Sequence, residues 1–127
     1  MKKITNILLF ALLAGSCSLA NAAAVHVWTC KLNDGKTTDD LDAVSSAWVA
    51  ATKSMKGGEK IQAFHDFPVA AAVGGGAFKF VVITPNFEDW GKVTEAYPGS
   101  ASAKADEAWG EVATCSGSSL WASAKIE

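Results

Sequence analysis

The chain reads as an α+β fold, an antiparallel four-stranded sheet with helices, in the order β-α-β-β-α-β. Three observations predict it. Short runs of β-branched and aromatic residues are interleaved with stretches whose apolar residues recur at three- and four-residue steps. Turn-forming groups (Asn33-Asp34-Gly35, Gly57-Gly58, Gly74-Gly75-Gly76, Pro85-Asn86 and Pro98-Gly99) separate those runs. Cys30 and Cys115 fall near the end of the first strand and just before the last, which in this order are antiparallel neighbours, so the sulfurs meet.

The first strand is Val25-His26-Val27-Trp28-Thr29-Cys30-Lys31-Leu32, and Asp34-Gly35 turns the chain after it. Thr37, with Asp40 three residues on, has the spacing of a capping box. Leu41, Val44, Trp48, Ala51 and Met55 then form one apolar helix face, ended by Lys56-Gly57-Gly58. Ile61–Phe67 alternates partly and reads as a second strand, stopped by Pro68. Val69–Val73 fits a strand or a loop, and three glycines connect it to Ala77–Thr84, the clearest strand in the chain. Asn86 caps a helix running to Tyr97, which Pro98-Gly99 interrupts. A second helical segment carries Ala101, Ala105, Ala108, Trp109 and Val112 on one face. Ser119–Ile126, apolar at its even positions, is the last strand. The result is a ferredoxin-like split β-α-β arrangement, one domain over residues 25–127, its second helix broken near Pro98-Gly99.

What precedes that domain has the form of a secretory signal peptide over residues 1–22. Lys2 and Lys3 lead an apolar run from Ile4 to Ala14 that is short of the ~20 residues a membrane span needs. Ala20-Asn21-Ala22 places cleavage before Ala23; Ala22-Ala23-Ala24 allows it before Val25. Ala14-Gly15-Ser16-Cys17 also resembles a lipobox, without its usual leucine, and would make the protein a lipid-anchored envelope component through Cys17. The expected location is therefore periplasmic or secreted, with no transmembrane segment in the mature chain.

All eleven basic residues are lysines, and without Lys2 and Lys3 nine of them face thirteen acids. An acidic chain with no arginine is poorly equipped for nucleic acid or phosphate ligands, where arginine's bidentate fork is the usual device. The expectation is no nucleic-acid partner. Two cysteines in an exported chain pair more often than they react, and neither belongs to a C-x-x-C. A Cys30–Cys115 bridge closes a loop of about 85 residues, for which chain-entropy estimates give roughly 4–5 kcal/mol.

The element order, and locally the passage from Phe78 through Val81-Val82-Ile83-Thr84-Pro85 to Trp90, resembles the dimeric α/β-barrel superfamily, which includes antibiotic-biosynthesis-type monooxygenases and stress-responsive barrel proteins. The resemblance is one of topology. It implies a homodimer joined through sheet faces, and strands with large apolar groups on both faces fit that, because helices cover only one. It also implies, as an alternative to a non-catalytic role, a cofactor-independent monooxygenase with His65 in an apolar pocket.

Candidate site residues are few. His65 could serve as a base or ligand contact, although neighbouring Asp66 points to the opposite face of the strand. His26 is weaker, lying at the start of the domain. Phe64, Trp28 and Trp121 could hold an apolar or aromatic ligand, while Trp48 and Trp109 read as core. No metal is expected, since the histidines lack ligand spacing, and no cofactor; haem in this superfamily typically also calls on an arginine. Gly74-Gly75-Gly76 precedes a strand rather than a helix and is no phosphate loop. The leading expectation is a non-catalytic exported dimer that binds a small apolar or aromatic ligand or a partner.

Overall fold

A computed structural model describes residues 22–70 and 74–126. The elements are β1 (Ala23–Leu32), α1 (Thr38–Lys53), β2 (Gln62–Asp66), β3 (Ala77–Thr84), α2 (Phe87–Ala96), α3 (Ala101–Gly110) and β4 (Ala113–Ser123). They form one antiparallel sheet in the order β2-β3-β1-β4. This is the ferredoxin-like topology, with the second helix split as Pro98-Gly99 predicts. The expected signal peptide and the Cys17 lipobox lie outside the described residues, apart from Ala22, as do residues 71–73 of the segment left open between strand and loop.

Local chemistry sets the helix starts. Thr37 accepts from the Asp40 backbone N–H at 3.2 Å while Asp40 accepts from the Thr37 N–H at 2.9 Å, the reciprocal pair its spacing predicts. Both the Thr37 N–H and its hydroxyl hold the Asp40 carboxyl below its ordinary value. Asn86 caps α2 and Ser100 caps α3 in the same manner.

One strand differs from expectation. β4 begins at Ala113, six residues before the predicted start, so Cys115 lies inside the strand. Thr29 pairs with Gly117 but Cys30 pairs with Cys115, so Ser116 is the extra residue of a β-bulge. The bulge reverses the facing of β4 along its length. It turns Cys115 to the side of the sheet that carries Cys30, and the two are joined in a disulfide. Beyond the bulge Trp121 pairs with Val25, on the other side.

All three described helices pack on one face of the sheet. That face presents Trp28 and Cys30 from β1 and Phe78, Phe80 and Val82 from β3, which join Leu41 and Trp48 of α1 and Trp109 of α3 in the core. α1 and α3 are also linked by a buried hydroxyl pair, Thr52 Oγ1 to Ser102 Oγ at 2.6 Å. In α3 the buried positions are Ser102 and Trp109, whereas Ala108, expected on the apolar face, is exposed. The opposite sheet face carries Val25, Val27, Val81 and Ile83, flanked by Phe64 and Trp121 on the edge strands; no described element packs on it.

Candidate functional site

α2 is the helix that makes room. Trp90, Val93, Thr94 and Tyr97 recur at the spacing of one helix face and turn toward the sheet, yet α2 buries none of its residues. Between that stripe and the sheet lies a cavity of about 370 Å³, in the range of roughly 300–1,000 Å³ typical of small-molecule sites. Trp28 and His26 of β1 and Phe80 of β3 floor it, while Trp48 of α1 and Trp109 of α3 close one side. The Phe80 ring has Trp48, Trp109 and Trp28 around it at centroid distances of 5.4, 5.5 and 5.7 Å. Four of the chain's five tryptophans thus border one space.

The polar groups of the cavity are sparse. The His26 ring stacks on Trp28, and burial among apolar groups lowers its pKa below 6.5, which favours the neutral imidazole. The Tyr97 hydroxyl lies 3.5 Å from the Trp48 Nε1–H, a long hydrogen bond. Burial pushes the phenol up; the Trp48 contact opposes this and the Asp106 charge reinforces it. Asp106, exposed on α3, is the only carboxylate among the lining residues, and no lysine is among them.

His65 occupies a second place, on the other side of the Phe80 ring. It points to the helix-covered face, opposite Phe80, while Asp66 pairs with Lys79 and is exposed, as their adjacency in a strand requires. Its Nε2 is 2.9 Å from Ser45 Oγ, and its Nδ1 is 3.1 Å from Asp42 Oδ1. Ser45 Oγ also accepts from the Trp109 Nε1–H at 2.8 Å. A single tautomer satisfies both contacts, with Nε2 accepting from the Ser45 hydroxyl and Nδ1–H donating to Asp42. Asp42–His65–Ser45 has the order of a serine hydrolase triad, but Ser45 is buried within α1, where backbone N–H groups close the helix. No pair of N–H donors is left beside it to stabilise an oxyanion. The chain of bonds is an anchor: it satisfies the indole of Trp109, a wall of the cavity, and ties it to the surface.

Of the four ligand-contact residues expected from sequence, Trp28 borders this cavity, while His65 and Phe64 border a second, more open space beside α1. Phe64, 47% exposed, and Trp121, 61% exposed, belong to the face away from the helices, and His65 stands behind Phe80. His26, set aside for its place near the start of the domain, is in the cavity because β1 begins at Ala23 and lies between β3 and β4. Trp90 and Tyr97 fall within the helix expected from Asn86 to Tyr97 and are not singled out by the sequence reading. Their i, i+7 spacing was the available signal.

No family model matches the chain, and a search of curated proteins returns no relative. Among solved structures it is similar to SnoaB, a cofactor-independent oxygenase from Streptomyces nogalater. The TM-score is 0.57 over 83% of this chain and 96% of that one, at 9% sequence identity. The two share a fold. That agrees with the topology for which the dimeric α/β-barrel resemblance was drawn, and at this identity the agreement extends to the fold alone. No described helix is long and apolar enough to cross a membrane.

Proposed function

We propose that the protein is an exported, homodimeric binding domain that holds a small apolar or aromatic ligand in the cavity between α2 and the sheet, without catalysing its conversion. The observation that carries this reading is α2 itself: an apolar, ring-bearing stripe, none of it fully buried, that borders a space of ligand size. The Cys30–Cys115 disulfide supports an oxidising compartment, consistent with removal of residues 1–22 during export. The apolar face formed by Val25, Val27, Val81 and Ile83, with Phe64 and Trp121 at its margins, supports pairing with a second copy.

A panel of aromatic and hydrophobic compounds screened by thermal shift tests the reading. A true ligand at a hundred times its Kd stabilises the folded state by about 2.7 kcal/mol. Val93→Trp, which narrows the cavity, is expected to reduce the shift. A well-folded dimer stabilised by no compound of the panel would count against it.

A second reading is a cofactor-independent oxygenase. The shared fold with SnoaB supports it, together with a desolvated His26 able to accept a proton among aromatic rings. Oxygen uptake with polycyclic phenolic substrates tests it. His26→Gln abolishing uptake would place the base at His26; loss in His65→Ala instead would return it to His65.

A further inference from the structure

We propose that the ligand carries a quaternary or fully alkylated ammonium group, held among the indoles of Trp48, Trp90 and Trp109 with the Asp106 carboxylate at the cavity mouth. The inference rests on the reading of the cavity as a ligand site and adds the chemical class.

Charge comes first. Asp106 is the only carboxylate among the described lining residues, no lysine is among them, and burial lowers the pKa of His26. Lys92, the one cation on α2, is occupied by Glu88 at 2.6 Å and Asp89 at 3.4 Å. An anionic ligand would meet a like charge and the negative faces of aromatic rings. A cation would meet attraction from both.

Ring type comes second. Aliphatic side chains hold a neutral hydrocarbon as well as aromatic ones do. Four indoles, a phenol and the Phe80 ring around one space are a surface whose distinguishing property is the π quadrupole, for which indole is the strongest side chain.

Hydrogen-bonding capacity comes third, and it selects among cations. The lining hydroxyls of Thr52 and Thr94 already donate to the carbonyl oxygens of Trp48 and Trp90. The indole N–H groups of Trp48 and Trp109 are directed to Tyr97 and Ser45. A primary ammonium brings three donors that need acceptors, and among the lining residues these are confined to Asp106, Tyr97, His26 and three threonine hydroxyls, against ten apolar or aromatic side chains. An alkylated ammonium has no such demand.

The test is titration of the full-length mature protein with choline and with its uncharged carbon isostere, 3,3-dimethylbutan-1-ol, followed by tryptophan fluorescence and calorimetry. Choline is expected to bind about tenfold more tightly than the isostere. Asp106→Asn is expected to weaken choline several-fold while leaving the isostere unchanged. Equal binding of the two probes, or tighter binding of the isostere, would overturn the ammonium assignment and leave the cavity reading standing. Absence of choline binding would also overturn it; the cavity reading falls only if the isostere and the aromatic panel fail as well.

Discussion

His26 lies on Trp28 with ring centroids 3.7 Å apart and planes inclined by 24°. The stack sits inside the cavity, and burial favours the neutral ring. The unfolded chain takes up a proton near pH 6.5, whereas the folded chain does so only at lower pH. Between those values the unfolded state binds more protons, so stability is complete above 6.5 and is lost as pH falls through the folded pKa. Urea midpoints are expected to decline from pH 7.5 to pH 5 in the native sequence and less steeply in His26→Phe, which keeps a ring on Trp28. The Asp40 carboxyl, lowered from 3.8, acts only below that window. Equal slopes in the two proteins would show that His26 is solvated.

Ser45 is expected to be needed for stability rather than chemistry. Ser45→Ala leaves the buried Trp109 indole N–H without its acceptor and His65 Nε2 without its partner. An unsatisfied buried group costs about 1–3 kcal/mol, readable by urea denaturation. A loss under half that lower bound would mean that water replaces the hydroxyl.

Free-thiol titration of the denatured protein should find neither Cys30 nor Cys115 reactive until a reductant is added. Replacing both by serine is expected to cost about 2–5 kcal/mol, since the bridge ties the first strand to the last. A neutral effect would place its value in something other than stability.

Trp121 should matter for association and not for the fold. It is exposed on the sheet face that lacks helices, its Nε1–H bonded to Ser119 Oγ at 2.7 Å. Trp121→Lys introduces a charge into that face and is expected to convert a dimer to a monomer in sedimentation analysis, with the melting transition of the monomer retained. Unchanged mass would move the interface elsewhere.

The architecture was legible because each element announced itself locally. Thr37 and Asp40, Asn86, and Pro98-Gly99 mark boundaries that the structure keeps. The cavity beneath α2 was much less so, for two physical reasons. Strand parity fails across a bulge: Cys115 and Trp121 are six residues apart and should share a face, but Ser116 is inserted and they do not. Trp28 and Trp121, whose strands are neighbours, therefore face opposite ways. Helical periodicity, for its part, identifies an apolar face without saying whether that face touches its partner. Trp48 and Trp109 read as core and are buried, while Trp90 and Tyr97 carry the same signal and border a void. His65 kept the expected facing on β2, and its neighbours Ser45 and Asp42 came from a helix whose packing no local pattern specifies.

The five indole N–H resonances of the ¹⁵N-labelled protein test the ligand cavity most directly. Titration with a small aromatic ligand identified by thermal shift should move the signals of Trp28, Trp48, Trp90 and Trp109 and leave Trp121, on the far face, in place. Movement of Trp121 with the other four unchanged would contradict a site beneath α2.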